Sequence, residues 1–357
     1  MAFLEIKNVR VAGISAGVPK RVINNLEVPY RFSEDYDNAS FVETTGVIER
    51  RCDIGLTTSD LCFAAAKQLI DDLGWDRKEI GAIIVVSQTL DFILPATACI
   101  MQDKLGLSKE CFAEDIQLGC SGWVYGMGTI AGLLQNGSVK KALLCCGDAQ
   151  GHIHTPEEKW DSLFGQAGTV TALEFSEGCE PLQFHFGTDG SGYDAIIIPE
   201  GGSRNPFSMK SFEEVEFEGK KYNGLESKMK GMDVFSFGIT TVPKSIKKLA
   251  QNYGYDYLSS DYYVFHQANM KMIDMIVKKL KLSKEKVPNG MKLFGNTSSA
   301  SIPLAIVTEL GDKLSKEKLD MTCCGFGVGL SWGTLHFIAD HIVVSPLVEV
   351  NNDEHML

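Results

Sequence analysis

Two stretches of this chain occur twice, and this repetition limits the folds that the chain can adopt. Residues 67–76 (KQLIDDLGWD) align without gaps to residues 247–256 (KKLAQNYGYD), and a strand pattern follows each copy. Residues 104–110 return as residues 279–285 with one difference. Because further matches follow in the same order and at almost constant spacing, we predict an internal duplication, with two similar halves packed as one body.

Both halves have the pattern of a layered α/β protein. A helix is predicted from Thr58 to near Gly74, and an apolar strand follows over 80–86. The second copy has helical periodicity over 234–250 and a strand over 262–265. Because apolar strands that alternate with amphipathic helices are typical of sheets covered on both faces, we predict an α/β fold.

Changes in composition along the chain divide it into four parts. Residues 1–175 are predicted to form the first half and residues 231–345 the second. Residues 176–230 are rich in Gly, Ser, Glu and Lys, so we predict a connecting segment on the surface. Residues 346–357 are predicted to be a tail that frays at its end.

The overall composition narrows the class of protein. A hydrophobic content of 44% is enough for buried cores, and a net charge of -12 argues against a nucleic-acid partner. The ten cysteines have no CxxC pair, and the first residues lack a charged-then-apolar leader, so we expect reduced thiols in the cytoplasm. No apolar run approaches the roughly 20 residues of a membrane span. No metal-ligand pattern is visible, and we expect no cofactor.

One cysteine lies where a nucleophile is favoured. Cys120 follows the short stretch 115–119 and precedes a helix pattern with Val124, Met127 and Ile130. At such a strand-to-helix turn, free backbone N–H groups and the helix dipole favour a thiolate. We therefore predict that Cys120 is the nucleophile, whereas the other nine cysteines have the character of small core residues.

The duplication indicates partners for Cys120. It sets Asn296 opposite Cys120, so pseudo-twofold packing would bring the two turns face to face. His266 follows the strand over 262–265, at a carboxyl end where open α/β sheets hold their sites. We therefore predict one catalytic site that contains Cys120, His266 and Asn296.

Four motifs around these residues resemble one known family. They are LGCSG around Cys120, HQAN beginning at His266, GNTSSASIP around Asn296, and the closing GFGVGLSWG. In this order, over roughly residues 9–337, they are similar to the β-ketoacyl-acyl carrier protein synthase III family of the thiolase superfamily. The resemblance implies a five-layered αβαβα fold built from two duplicated halves, a homodimer, and catalytic roles for the cysteine, the histidine and the asparagine.

The resemblance also implies a reaction in two stages. An acyl thioester would transfer its acyl group to Cys120, and the backbone N–H groups of Cys120 and Val328 would hold the oxyanion. A malonyl group on an acyl carrier protein would then lose carbon dioxide. His266 and Asn296 would donate hydrogen bonds to the resulting enolate, which attacks the acyl-Cys120 ester.

Further positions are assigned to substrate contacts by the same resemblance. Leu94 and Phe326 would border the acyl pocket, and a flexible aliphatic residue at 94 permits a longer or branched acyl group. Ser40, Thr44 and Glu158 stand where typical members hold coenzyme A with a tryptophan and arginines. We therefore do not expect acetyl coenzyme A to be the natural primer.

A lysine-rich segment follows the predicted catalytic histidine. Lys271, Lys278 and Lys279 belong to it, and Lys271 falls where the resemblance places a basic docking residue. Because acyl carrier proteins are acidic and this chain is acidic overall, a local positive surface is needed for docking. We predict that these lysines contact the carrier protein.

A second reaction is compatible with the same residues. An acyltransferase of this fold could pass the acyl group from Cys120 to an alcohol or an amine without decarboxylation. The sequence does not distinguish the two reactions, and it does not identify the acyl chain or the pathway, whether fatty acid, polyketide or glycan modification.

Overall fold

The structure of the chain is a computed structural model that describes residues 2–28, 37–149, 161–217 and 220–352. The helices in these ranges are α1 Asn38–Thr45, α2 Thr58–Leu73, α3 Thr97–Lys104, α4 Gly122–Leu134, α5 Gly231–Tyr253, α6 Met270–Leu280, α7 Met291–Phe294 and α8 Ser301–Leu314. The strands are β1 Ala2–Ile6, β2 Val9–Pro19, β3 Val22–Asn24, β4 Glu49–Arg51, β5 Ala82–Val86, β6 Phe112–Ile116, β7 Lys141–Asp148, β8 Ala167–Phe175, β9 Leu182–Thr188, β10 Ile196–Ile197, β11 Val215–Phe217, β12 Lys220–Tyr222, β13 Lys228–Met229, β14 Tyr262–Phe265, β15 Lys318–Gly327, β16 Ser331–Asp340, β17 Val343–Val344 and β18 Val348–Val350.

Two large sheets contain their strands in the same order. In the seven-stranded sheet, β2, β8, β7 and β5 lie side by side, and in the five-stranded sheet β9, β16, β15 and β14 do so. In each set the first two pairs are antiparallel and the third pair is parallel. This shared topology confirms the prediction of two duplicated α/β halves.

Alternate residues of each strand pack against different helix layers, because successive side chains point to opposite faces of a sheet. Val86 packs in a core with residues of α4 and α8, whereas its neighbour Val85 packs with residues of α2 and α3. In the other sheet, Val264 joins the α4 and α8 core, and Phe265 packs with residues of α5 and α6. The predicted five-layered αβαβα arrangement is therefore confirmed.

The repeated sequence encodes the same helix ending in both halves. Gly74 ends α2 with φ 62°, and Gly254 ends α5 with φ 76°. Both angles lie in the left-handed region that favours glycine. A capping box between Thr57 and Asp60 fixes the start of α2. The helix predicted from Thr58 to near Gly74 thus has local signals at each end.

The segment over 176–230 differs from the predicted surface connection. Its first part forms β9, which pairs with β1 and β16 in the five-stranded sheet, and Phe184 is fully buried there. Leu182, Phe184 and Phe186 alternate with polar residues, which is a strand signal hidden by the glycine- and serine-rich sequence around it. The first half also contributes β1 to this sheet.

The beginning of the predicted tail also belongs to the fold. β18 pairs in parallel with β2, and Val350 is buried in a small core with Leu56 and Leu61. Two apolar residues flanking a glutamate in a three-residue strand give a weak sequence signal, and pairing with a distant strand supplies the missing stability. Residues 353–357 lie outside the described residues.

Two observations concern the features expected from composition. All ten cysteines are free thiols, and the adjacent pairs Cys145–Cys146 and Cys323–Cys324 are buried in β7 and β15. Within the described part of the chain, no helix combines the length and the apolar character that crossing a membrane requires.

Candidate active site

A cavity of about 420 Å³ brings the three predicted catalytic residues together. Cys120, His266 and Asn296 all line it. Each comes from a different segment, because Cys120 precedes α4, His266 follows β14, and Asn296 follows α7. The structure therefore places in one site three side chains that are separated by up to 176 positions in the sequence.

Asn296 is held where the two halves meet. Its backbone N–H donates to the Leu163 carbonyl at 2.9 Å, and its own carbonyl accepts the Gly165 N–H at 3.1 Å. The preceding Gly295 has φ 65° and ψ -157°, a conformation that is essentially restricted to glycine. A Cβ at Gly295 would also lie 2.7 Å from the Leu163 carbonyl oxygen. The turn that presents Asn296 thus depends on a glycine and on a segment of the other half.

Cys120 faces the cavity as a thiol rather than as the thiolate that its helix position led us to expect. Burial raises the pKa of Cys120 to about 11, and the nearby Asp148 carboxylate adds to the increase. The Ser298 hydroxyl and the backbone N–H groups of Cys120 and Val328 lower the pKa, but not enough to offset burial. The reaction at Cys120 therefore needs a proton acceptor.

His266 is buried and electrically neutral. Burial lowers its pKa to about 3. The Nδ1 atom lies 2.7 Å from the Ser301 hydroxyl oxygen, and the ring packs edge-on against Phe326 with the ring centroids 5.5 Å apart. The backbone N–H of His266 donates to the Cys324 carbonyl at 2.9 Å. The imidazole is thus fixed in orientation and can either accept or donate a proton through its remaining nitrogen.

The Asn296 side chain has a defined orientation. Its Oδ1 accepts the backbone N–H of Ser298 at 2.9 Å. The opposite atom of the amide, Nδ2, is therefore available as a donor in the cavity. A neutral amide and a neutral imidazole provide hydrogen-bond donors to a substrate oxygen without adding a buried charge.

The sequence analysis missed two polar residues beside Cys120. Asp148, at the end of β7, is fully buried, and its carboxylate accepts hydrogen bonds from the Gln88 N–H at 2.7 Å and the Ser87 hydroxyl at 3.1 Å. Ser298 lines the cavity two residues after Asn296. The sequence contained a signal for Asp148, because this residue follows the apolar part of β7. β7 lies parallel to β5, and the carboxyl ends of parallel strands are where α/β sheets hold their functional sites.

Of the other predicted residues, some reach the cavity and some do not. Val328 and Phe326 line it. Leu94 does not border the cavity, and its side chain is 79% exposed, since it lies between α3 and β5 on the outside of the chain. Ser40 and Thr44 lie on α1 and are not among the residues that line the cavity, and Glu158 lies outside the described residues. The acyl-pocket and donor-binding roles of these residues stay predictions.

The segment predicted to be a connection supplies one wall of the cavity. Lining residues from it are Ile196, Ile197, Ile198, Ser227 and Met229. The wall continues into the first turn of α5 with Val234 and Phe235, and on to Asn269 at the start of α6.

The predicted docking lysines of α6 are all exposed, so the lysine-bearing face begins next to the cavity. Within the described ranges, no group of three His, Cys, Asp or Glu side chains is arranged to hold a metal ion.

Comparison with solved structures defines the class of protein. A 3-oxoacyl-(acyl-carrier protein) synthase from Burkholderia xenovorans LB400 matches with a TM-score of 0.89 and 36% identity, covering 98% of this chain and 99% of that one. The synthase III from Pseudomonas aeruginosa PAO1 matches with a TM-score of 0.82 and 26% identity, covering 95% of this chain and 100% of that one. The fold is that of the thiolase-like acyl-transferring enzymes.

Sequence comparison defines the family within that class. The family model for 3-oxoacyl-[acyl-carrier-protein] synthase III matches residues 114–190, and the model for its C-terminal part matches residues 251–337. The β-ketoacyl-[acyl-carrier-protein] synthase III of Rhodopirellula baltica is 32% identical over 93% of this chain and 99% of its own length. The corresponding enzyme of Syntrophomonas wolfei is 32% identical over 91% and 96%. The chain belongs to the 3-oxoacyl-[acyl-carrier-protein] synthase III family.

Proposed function

We propose that this enzyme condenses an acyl thioester primer with malonyl-acyl carrier protein, with loss of carbon dioxide, through an acyl-Cys120 intermediate. The observation that carries the proposal is the common cavity of Cys120, His266 and Asn296, which combines a nucleophile with two uncharged donors. A nucleophile alone would support acyl transfer. Two donors directed at one oxygen are required in addition when an enolate has to be stabilised.

The first stage is acylation of Cys120. Because burial raises the pKa of Cys120 to about 11 and lowers that of His266 to about 3, the resting pair is a thiol and a neutral imidazole. The imidazole accepts the thiol proton as sulfur attacks the primer carbonyl. The new carbon–sulfur bond forms, the bond to the departing thiol breaks, and the imidazolium returns its proton to that thiol.

Two backbone N–H groups stabilise the oxyanion of this stage. The N–H groups of Cys120 and Val328 act on the Cys120 sulfur and lower its pKa, so both point towards the reacting centre. Donors of this kind are fixed before reaction and are worth roughly 100- to 1000-fold in rate each. The orientation of these two N–H groups supports the oxyanion-binding role that the sequence resemblance implies for Cys120 and Val328.

The second stage breaks the bond between the malonyl carboxylate and its α-carbon. The electron pair moves into the thioester and forms an enolate, which accepts hydrogen bonds from Asn296 Nδ2 and His266. Ser301 Oγ is 3.4 Å from the Gln267 N–H and can accept from it, so its own proton can be donated to His266 Nδ1. With Ser301 donating to Nδ1, the imidazole proton lies on Nε2, which is the donor that the enolate requires. The acylation stage uses the other tautomer, in which Nδ1–H donates to the Ser301 hydroxyl and Nε2 accepts the thiol proton.

The third stage joins the two substrates. The enolate carbon attacks the acyl-Cys120 carbonyl, a carbon–carbon bond forms, and the bond to Cys120 sulfur breaks. The product is a β-ketoacyl thioester, and Cys120 leaves as a thiolate that takes up one proton from solvent, the proton that the whole reaction consumes. The cavity of about 420 Å³ and its aliphatic wall support an acyl group longer than acetyl.

Release of labelled carbon dioxide from malonyl-acyl carrier protein tests the proposal. Condensation predicts one carbon dioxide per acyl group transferred, with a β-ketoacyl product. The alternative, transfer from Cys120 to an alcohol or an amine, predicts acyl-Cys120 formation without carbon dioxide release. Intact-protein mass spectrometry with a panel of acyl thioesters on coenzyme A and on carrier protein identifies the primer and its donor.

We also propose that the enzyme is a homodimer. Phe92, Ile93 and Leu94 are 59%, 98% and 79% exposed in the single chain, and they form a continuous apolar segment next to α3. Contiguous apolar residues of this kind mark protein interfaces. A second copy would cover them and could bring Leu94 to a neighbouring acyl pocket. Light scattering should give twice the mass of the chain, and Ile93→Asp should give the monomer.

The cytoplasm remains the expected compartment. The ten free cysteines are consistent with a reducing environment. Fractionation of cells followed by immunodetection tests this expectation, and recovery of the protein outside the cytoplasm would contradict it.

A further inference from the structure

Ser298 has an unusual combination of backbone and side-chain properties. It is 1% exposed, and its φ of 51° lies in the left-handed region that residues with a Cβ rarely adopt. Its backbone N–H donates to Asn296 Oδ1 at 2.9 Å. Within the described ranges, its buried hydroxyl oxygen has no partner at full hydrogen-bond geometry, and its looser contacts are with Cys120 and Asp148.

The Ser298 hydroxyl lies close to two ionisable side chains. Burial raises the pKa of the Cys120 thiol and of the Asp148 carboxyl group, and the Ser298 hydroxyl acts on both groups and offsets part of each increase. It also lies 3.2 Å from the position of a Cβ built on Gly119, directly before Cys120. The hydroxyl therefore lies beside the nucleophile and interacts with the buried carboxyl group as well.

These properties are not explained by the local fold. The bond to Asn296 uses only the Ser298 backbone N–H, so any residue could make it, and glycine or asparagine would adopt the positive φ with less strain. A buried hydroxyl whose contacts do not reach full hydrogen-bond geometry destabilises the folded chain. A serine at this position thus has two unfavourable features, and a role of its hydroxyl during the reaction accounts for both.

The neighbouring Asp148 indicates which role the Ser298 hydroxyl has during the reaction. Burial raises the pKa of Asp148, and in its ionised form this carboxylate adds to the increase that burial causes in the pKa of Cys120, because ionisation of both groups would place two negative charges in the site. A hydroxyl proton rotates freely about its C–O bond and can be directed to either neighbour. Directed to Asp148 it solvates the carboxylate, and directed to Cys120 it solvates the thiolate.

We propose that the Ser298 hydroxyl donates a hydrogen bond to the Cys120 sulfur as the thiol ionises, and thereby makes the nucleophile accessible beside Asp148. Ser298 would be a further residue of the reaction machinery, in direct contact with the reacting atom. The inference rests on the proposed role of Cys120 as nucleophile. It adds that Ser298 controls how easily this cysteine loses its proton.

Alkylation of Cys120 by iodoacetamide between pH 7 and 10 tests the inference, with peptide mass spectrometry to follow Cys120 alone. Ser298→Ala removes the hydroxyl, and Ser298→Gly removes it while relieving the strained φ. We expect both variants to react about three- to tenfold more slowly than wild type at a given pH, since a lost hydrogen bond to a charged group raises the thiol pKa by about one unit.

Thr297→Val is the matched control. Thr297 is 1% exposed, and its hydroxyl likewise has no hydrogen-bond partner among the described residues, yet it does not act on Cys120. The variant therefore removes a buried, unpartnered hydroxyl from the same turn and should retain the wild-type alkylation rate.

Three outcomes separate the possibilities. Wild-type alkylation rates in both Ser298 variants would overturn the inference, and so would an equal decrease in Thr297→Val, which would indicate a general disturbance of the turn. If Ser298→Ala slows alkylation but Ser298→Gly does not, backbone strain rather than the hydroxyl is responsible, and the inference is again wrong. Failure of the proposed function is recognised differently, by the absence of an acyl adduct on wild-type Cys120.

Discussion

Gly327 packs directly against Cys120. A Cβ built on Gly327 would lie 2.9 Å from the Cys120 sulfur and 2.6 Å from its Cβ, closer than real side chains approach. The duplication places Gly165 opposite Gly327, and a Cβ on Gly165 would lie 2.0 Å from the Phe294 carbonyl oxygen, two residues before Asn296. The equivalent glycine of each half thus allows a close approach to the catalytic turn of the other half.

Gly327→Ala should disrupt acylation of Cys120. The added methyl group would displace the sulfur, and a displacement of about 1 Å costs roughly 100-fold in rate. Acyl-enzyme formation, followed by intact-protein mass spectrometry, measures the effect. Gly132→Ala in α4 is the control, because a Cβ there has no atom within 4 Å. Equal acylation by both variants would show that the site tolerates the methyl group.

Cys120→Ser should abolish acyl-enzyme formation, because an alkoxide is far harder to generate than a thiolate. Incubation with acyl thioester and mass spectrometry of the intact chain detect the adduct. The assignment would be refuted by an adduct on the wild-type chain at any site other than Cys120, with Cys120 unmodified.

Asn296→Ala and His266→Ala should affect different stages. Loss of the Asn296 amide removes one enolate donor, so carbon dioxide release should fall roughly 100- to 1000-fold while acylation of Cys120 continues. Loss of His266 removes a donor and the proton acceptor for the Cys120 thiol, so both stages should slow. Rapid-quench acylation and labelled carbon dioxide release measure the stages separately. Wild-type decarboxylation in either variant would exclude its proposed role.

The buried histidine should make the fold sensitive to acid. His266 has a folded-state pKa of about 3 against an ordinary value of 6.5, so between these values the unfolded chain binds the additional proton. The free energy of unfolding should therefore fall as pH decreases below about 6.5, by up to about 1.4 kcal/mol per pH unit from this residue.

Urea unfolding of wild type and of His266→Asn measures this contribution. The pH dependence should be shallower for His266→Asn between about pH 6 and pH 4, whereas the two proteins should have parallel profiles above pH 7. Identical slopes in the acidic range would mean that His266 is not buried in its neutral form.

Lys271→Glu combined with Lys278→Glu should raise the KM for malonyl-acyl carrier protein. Both lysines are exposed on α6, and neither side chain forms an ion pair or a hydrogen bond within the described ranges, whereas the Lys279 side chain donates to the Ile239 carbonyl. The increase should be larger at low salt, because exposed charges are screened. Steady-state kinetics with the carrier-bound substrate and with a small malonyl thioester measure it, and only the former should change.

The duplication supplies a control for this charge reversal. Lys104→Glu combined with Lys109→Glu makes the same change in net charge on exposed residues of the first half. This variant should retain the wild-type KM. An equal increase in KM for both double variants would indicate that the overall charge of the enzyme, rather than the lysines of α6, governs its binding of the carrier protein.

Local sequence determined much of this fold. The glycines at positions 74 and 254 end equivalent helices, and apolar periodicity fixes the strands that follow, because these signals act through neighbouring residues. The same reasoning did not find β9 or β18. Both strands pair with partners far away in the chain, so neighbouring residues contain only part of the signal.

The sequence alone identified Cys120, His266 and Asn296 as candidates, because strand ends and repeated motifs are properties of chain order. Tertiary structure decided their protonation states. Cys120 is a thiol and His266 is neutral because side chains from distant segments remove water from both, and desolvation outweighs the effect of the nearby helix terminus. Only packing brings Asp148 and Ser298 to the sulfur, since the electrostatic interactions of a buried group depend on distances in space and not on separation in sequence.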